Sequence, residues 1–341
     1  MDYQRHPAYA AWADEASVSW RLRAWRRFLP ALIKIELKRA IQYEWIPLHV
    51  RQGRGLAGKL RFAAAAAGNL LRPRSRRNLA IDTPGLSALD LAFRRQGVAV
   101  VQGQAEDLAR LRELSVPNFA KLEQRRSQAA GQPRDFEASR SYASRADQPA
   151  LFHAIEAFFQ SAGVLATASS YLGRTVRLID VNPQINDPSD DFWRRIFPDR
   201  TDPQPALAYM HRDASGGDLK AIVYMSDVGP DNGPFGYVVG THRMAPGRFD
   251  DHVCEANDSN GLAGTDPDSR RCFAALPSRL RQKGAFGNDL LDASETAQTL
   301  SRALWEITGA AGSVVLFDTK GVHRGGMVRT GERRVITCVL G

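Results

Sequence analysis

A chain of 341 residues with 43% hydrophobic and 24% charged side chains is long enough to bury a full core and is neither disordered nor fibrous in composition. Its net charge of +9 is uneven: residues 1–80 hold 16 Lys and Arg against 5 Asp and Glu, leaving 30 against 32 in residues 81–341. Three scattered cysteines, Cys254, Cys272 and Cys338, form no CxxC pair, which excludes a structural zinc finger and a disulfide scaffold and points to a reducing, cytoplasmic setting.

The opening MDYQRHPAYAAWADEAS lacks the apolar stretch of a secretory leader, and FAAAAAGNLL from Phe62 is too short to span a bilayer. After Pro30, Ile33, Leu37, Ile41 and Trp45 recur every four residues while Lys34, Lys38 and Arg39 lie on other faces, the pattern of a basic amphipathic helix. The alternation Ile33, Ile35, Leu37 equally suits a short strand. Such a segment either presents a solvated basic face or makes peripheral contact with an anionic membrane surface. Nucleic acid is not the expected partner, because the basic stretch lies far from the motifs below and carries no aromatic platform on a sheet. RPRSRRN, residues 72–78, reads as an exposed linker. It divides a basic, largely helical segment, residues 1–78, from a domain over 79–341.

In that domain LSALDLAFRRQGVAVVQG predicts a helix followed by a strand at Val98–Val101, closed by Gly103. Residues 104–130 and 148–172 read as helices, the second with Leu151, Ile155, Phe158, Phe159 and Leu165 at helical spacing. The character changes after Gly173. TVRLIDVNPQIN, LKAIVYMSDV, GYVVG, SVVLFD and RRVITCVL are short runs rich in Val and Ile, bounded by Gly, Pro, Asp or Asn, as in an all-β barrel or sandwich. The helices before it brace the sheet, giving an α+β class. Two stretches, 187–207 and 243–300, are too long for ordinary connections and read as lid-like insertions. In the first, Phe192, Trp193 and Phe197 suit an apolar substrate or the packing of the lid itself, and Arg194, Arg195 and Arg200 suit an anionic group.

The chemistry sits in the β-rich half. His211-Arg212-Asp213 places an imidazole and a carboxylate two residues apart, on one face of an extended strand. His323 follows 110 residues after Asp213, behind SVVLFD and the turn TKGV. Two histidines and one carboxylate make the facial triad of non-haem iron(II) oxygenases. The last strand, from GERRVITCVL, supplies a cation. Arg333 lies near the metal if that strand runs antiparallel to SVVLFD, and a guanidinium grips a dicarboxylate co-substrate in a fork. Arg333 and Arg334 point to opposite faces, so only one can enter the barrel. His242, in GTHRM, reads as a structural turn residue rather than a ligand, and His6, His49, His153 and His252 have no partner at ligand spacing.

The succession MHRDASGGDLKAIVYMSDVGPDNGPFGYVVGTHRM, GSVVLFDTKGVHRGG and GERRVITCVL resembles the phytanoyl-CoA dioxygenase family of iron(II)- and 2-oxoglutarate-dependent oxygenases, over roughly residues 175–341. The resemblance implies a double-stranded β-helix, a jelly-roll of cupin type, with Fe(II) held by His211, Asp213 and His323. It implies 2-oxoglutarate anchored by Arg333, with Thr337 on the same face and Arg334 as the alternative anchor, and with O2 as the oxidant. Gln184 and Asn186 resemble polar pocket residues of relatives, and Lys220 lines the pocket unless it faces water. The implied reaction hydroxylates a small-molecule substrate with release of succinate and CO2. A carboxylate at Asp213 favours hydroxylation, because relatives that halogenate carry a small residue there. The rival readings are a catalytically inactive cupin-like binding protein and a membrane-associated lipid hydroxylase.

Overall fold

The computed structural model describes residues 48–70, 77–128, 139–188, 210, 213, 219–244 and 301–341. The amphipathic segment expected after Pro30 lies outside them, as do His211, most of both insertions and the aromatic and arginine residues singled out there. Among the described residues a single helical turn, Leu48–Arg51, precedes α1 (Gly55–Leu70). Then come α2 (Ala88–Gln96), β1 (Val98–Gln102), α3 (Ala105–Gln128), α4 (Pro149–Ser161) and α5 (Val164–Leu172). The strands that follow are β2 (Leu178–Asn186), β3 (Leu219–Tyr224), β4 (Phe235–Val238), β5 (Leu304–Ile307), β6 (Ser313–Asp318), β7 (His323–Arg324) and β8 (Arg333–Leu340).

Helix α2 starts where the local chemistry requires it. Ser87 accepts the Asp90 N–H while the Asp90 carboxylate accepts the Ser87 N–H, so two otherwise orphaned amides are satisfied reciprocally. The helix read over 148–172 is two helices, bent by 78°. Gly163 takes a left-handed φ of 74° between them, a conformation that ends a helix at little cost only for glycine. Apolar spacing continues across the bend because both helices cover the same sheet, which is why periodicity alone does not show the break.

All sheet pairings are antiparallel, in the order β1-β6-β3-β8-β2 for one sheet and β5-β4-β7 for the other. Strand β8 therefore does not run antiparallel beside SVVLFD, as expected from the sequence. β3 lies between them and pairs with both, so β6 and β8 run in the same direction. The short strand LWEI, absent from the sequence reading, edges the smaller sheet; half of its residues are exposed, so its apolar signal is weak.

The larger sheet is covered on both faces. Ile336, Cys338 and Leu340 of β8, with Val314 and Leu316 of β6, join a core built with Phe93, Leu111, Ile155, Phe158 and Tyr171 from the helices. Val335, Ile222, Tyr224, Val315 and Phe317, of opposite parity, pack on Phe235 and Tyr237 of the smaller sheet. Strict alternation thus sorts every strand residue into a helix-facing or a sheet-facing set. Cys338 is a buried free thiol, pushed up in pKa by burial, and Cys254 and Cys272 lie outside the described residues. Among the described residues, no single helix is long and apolar enough to cross a membrane.

Phe158 is fully buried between the helices and the sheet. Phe158→Ala should lower the unfolding free energy by about 3–5 kcal/mol, read as a shift in urea midpoint at unchanged slope.

Candidate active site

Polar side chains gather on the sheet-facing side of the larger sheet, where the alternation just described would otherwise place only apolar ones. On β8 these are Arg333 and Thr337; on β2, Asn182, Gln184 and Asn186, which lie directly across from Thr337, Val335 and Arg333; on β3, Lys220. Four of them pair across strands. Gln184 Nε2 donates to Thr337 Oγ1 at 3.1 Å, and Arg333 Nη2 donates to Asn186 Oδ1 at 2.9 Å while Nη1 donates to the Gly233 carbonyl. Arg333 is 7% exposed, and a Cβ on Gly325, two residues beyond His323, would lie 3.6 Å from its Nη2. The guanidinium thus reaches the strand that carries His323, although its own strand is not the neighbour of β6.

Arg334 points the other way. It bonds Glu332 at 2.6 Å and Glu123 at 2.7 Å and lies over the Phe119 ring on α3. Arg126 bridges Glu332 and Asp187 in the same network, which ties the end of β2 to the start of β8, on either side of the Arg333–Asn186 contact. Of the two arginines, only Arg333 enters the space between the sheets.

At the other end of that space Asp213 and His323 come together, with Asp213 Oδ1 3.6 Å from His323 Nε2. Lys220 does not face water: its Nζ lies 2.6 Å from Asp213 Oδ2, so one carboxylate oxygen is engaged by the ammonium and the other is turned to the imidazole. His323 is 3% exposed. Its ring packs among Phe317, Phe235 and Tyr237, with centroids at 4.9, 5.7 and 6.4 Å. His323 Nδ1 is 2.9 Å from the Gly321 carbonyl. A carbonyl only accepts, so Nδ1 carries the proton and Nε2 presents its lone pair toward Asp213. An imidazole whose far nitrogen is tied to a carbonyl, beside an oriented carboxylate, supplies two donors that could hold a metal ion. Among the described residues no three His, Cys, Asp or Glu side chains gather at one point; the expected third ligand, His211, lies outside them, and its neighbour Met210 is buried.

Residues 93–336 match the family described as Phytanoyl-CoA dioxygenase (PhyH). The chain belongs to this family.

Iron and 2-oxoglutarate are the cofactors that membership brings. No curated protein matches the sequence. Among solved structures the chain is similar to EctD from S. alaskensis with 2-oxoglutarate and 5-hydroxyectoine, at 16% identity over 80% of this chain and 81% of that one, with a TM-score of 0.44. It is also similar to HygX from Streptomyces hygroscopicus with nickel and 2-oxoglutarate bound, at 16% identity over 75% and 87% of the two chains and a TM-score of 0.41. AviO1 from Streptomyces viridochromogenes Tue57 shows 17% identity over 76% and 96%, with a TM-score of 0.41.

His242 Nε2 donates to the Arg94 carbonyl at 3.2 Å, a carbonyl that Arg243 also reaches, so the ring serves the turn after β4. Asn182, 7% exposed on the same face as Gln184, is a pocket residue that sequence reasoning missed, although the two-residue spacing from Gln184 was available. The aromatic wall around His323 was also missed, because Phe235, Tyr237 and Phe317 look like ordinary core in the sequence.

Burial holds the His242 imidazole below its ordinary pKa, with Arg243 and Arg77 adding to that effect and Asp318 and the Arg94 carbonyl opposing it. The unfolded chain therefore binds a proton near pH 6.5 that the folded chain refuses until lower pH. Stability from this residue is complete above about pH 6.5 and is lost as pH falls toward the folded value. Melting temperature should drop between pH 7 and pH 5.5, and His242→Gln should make that drop shallower.

Proposed function

We propose that this chain is an iron(II)- and 2-oxoglutarate-dependent dioxygenase that hydroxylates a small molecule, built on a double-stranded β-helix. His211, Asp213 and His323 hold the metal, and Arg333 anchors the co-substrate. The observation that carries the reading is the meeting of Asp213 Oδ1 and His323 Nε2 at 3.6 Å, in a space that a buried arginine also enters. Bound iron with 2-oxoglutarate supplies the oxidising power, spending O2 and giving succinate and CO2 alongside the hydroxylated product.

The chain's own residues do the rest. Lys220 holds Asp213 Oδ2, which keeps the carboxylate from rotating and leaves Oδ1 facing the imidazole. Gly321 fixes the His323 tautomer. Arg333, with Asn186 holding its orientation, offers a forked cation to the distal carboxylate of the co-substrate, a fit that an ammonium does not reproduce. Thr337 lies on the same face of β8, with its hydroxyl bonded to Gln184. The Phe235, Tyr237 and Phe317 rings exclude water from the imidazole side, where a low dielectric strengthens ligand-to-cation attraction.

Iron-loaded full-length protein should convert 2-oxoglutarate to succinate slowly without substrate, and Asp213→Ala or His323→Ala should abolish both that turnover and stoichiometric iron binding. A wild-type protein that binds iron and 2-oxoglutarate yet forms no succinate would instead identify an inactive binding protein. Arg333→Ala should raise the half-saturating 2-oxoglutarate concentration about 10- to 100-fold, as expected for losing a charge-assisted pair, while Arg334→Ala changes it by less than about twofold, since its partners are exposed. The reverse ranking would reassign the anchor.

A further inference from the structure

One turn supports both described members of the metal site. The Asp213 N–H donates to the Thr319 carbonyl at 3.0 Å, and His323 Nδ1 donates to the Gly321 carbonyl at 2.9 Å. The two side chains thus take their positions from carbonyls two residues apart, on the turn that leaves β6. Displacing that turn moves both.

The turn is itself held from outside the pocket. Asp318, which opens it, has the parity of Val314 and Leu316, so its carboxylate faces the helices and not the space between the sheets. That carboxylate is fully buried. It accepts from Arg77 Nε and, at 3.0 Å, Arg77 Nη2, from the Tyr171 hydroxyl at 2.8 Å and from the Lys320 N–H at 2.8 Å. The Asp318 backbone is held as well, with its N–H donating to Gly97 O and its carbonyl accepting from Gly321 N and the Tyr237 hydroxyl. At Gly321 a Cβ would overlap the Tyr237 hydroxyl, so the turn closes tightly on the ring that stacks against His323. Arg77 in turn is fixed by its neighbours: Asn78 N–H donates to Tyr171 O at 2.7 Å, and the buried Arg94 binds Ala80 O and Ser170.

A buried arginine–carboxylate pair adds little net stability, because desolvation of both charges offsets their attraction. What it provides is direction: a forked contact fixes a carboxylate in one orientation. Burial alone would raise the Asp318 pKa, but Arg77, Lys320 N–H and Tyr171 outweigh it and hold the group below the usual carboxylate range. Burial, then the Asp318 charge, keep Tyr171 protonated and hence a donor.

We propose that Arg77, Asp318 and Tyr171 are positioning residues for the metal ligands: an arginine from the end of the basic segment clamps a carboxylate behind the sheet and so sets the turn from which Asp213 and His323 are aimed. The proposal rests on the metal-binding reading above. It also assigns Arg77 to the core machinery and removes it from any solvated or membrane-facing basic surface. Without Arg77, Asp318 is a buried carboxylate lacking its counter-charge, and rotation toward water releases the Lys320 amide and loosens the turn.

The test is anaerobic titration of full-length apo-protein with Co(II), read by its d–d absorption, with thermal unfolding in parallel. Wild type should bind one equivalent. Arg77→Met should weaken binding about tenfold or more, the scale on which outer partners of metal ligands act, and should change the d–d band; Arg77→Lys should recover part of both. His242→Gln, which loses a buried hydrogen bond nearby but none at the turn, should bind like wild type. If Arg77→Met does not fold, Arg77→Met with Asp318→Asn removes the stranded charge, and it should regain the melting temperature but not the Co(II) affinity. A folded double variant with wild-type affinity and band overturns the proposal and leaves the metal site standing. Folded wild type that binds no Co(II) overturns the metal site itself, and the clamp with it.

Discussion

A sheet buried on both faces gives polar side chains nowhere to reach water, so each must find another polar group or lose the cost of its desolvation. The larger sheet meets this constraint in two separate ways. Between the sheets, Asn186, Arg333, Gln184, Thr337, Lys220 and Asp213 are paired across strands. Behind the sheet, Asp318 is surrounded by Arg77, Tyr171 and backbone amides. The first group is open to chemistry because its members line a space; the second is closed and serves geometry.

Four residues of chain, 319–322, separate Asp318 behind the sheet from His323 between the sheets. Asp318 belongs to the helix side and His323 to the pocket side, so the turn between them crosses from one face of the sheet to the other. In the proposed clamp, Tyr171 on α5 and Arg77, which precedes α2, set the turn that leads to the imidazole between the sheets. The helical layer is therefore more than a cover for the hydrophobic face. Its residues Phe93 and Tyr171, in edge contact at 4.7 Å, hold the hydroxyl that binds Asp318.

The same logic separates two adjacent arginines. Arg333 and Arg334 have the same chemistry and differ only in strand parity. One is enclosed with Asn186 and the Gly233 carbonyl, and the other lies in a half-exposed network with Glu332 and Glu123. Alternation makes one an anchor candidate and the other a surface staple between β8 and α3.

Much of this was legible in the residues. The H-x-D pair, a distal histidine behind an apolar run and an arginine opening the last strand are local patterns of fixed period, and periodicity survives without knowledge of the partners. The helices from α2 onward and six of the strands were likewise readable from spacing, and family membership followed from the order of the motifs. Tertiary structure alone decided what depends on partners far along the chain. Among these are the insertion of β3 between β6 and β8, the break at Gly163, the inward aim of Lys220, and the pairing of Arg77 with Asp318 across 241 residues. A linker arginine and a strand-ending aspartate carry no mutual signal in sequence, because a buried ion pair is specified by where the chain brings two side chains and not by the residues beside them.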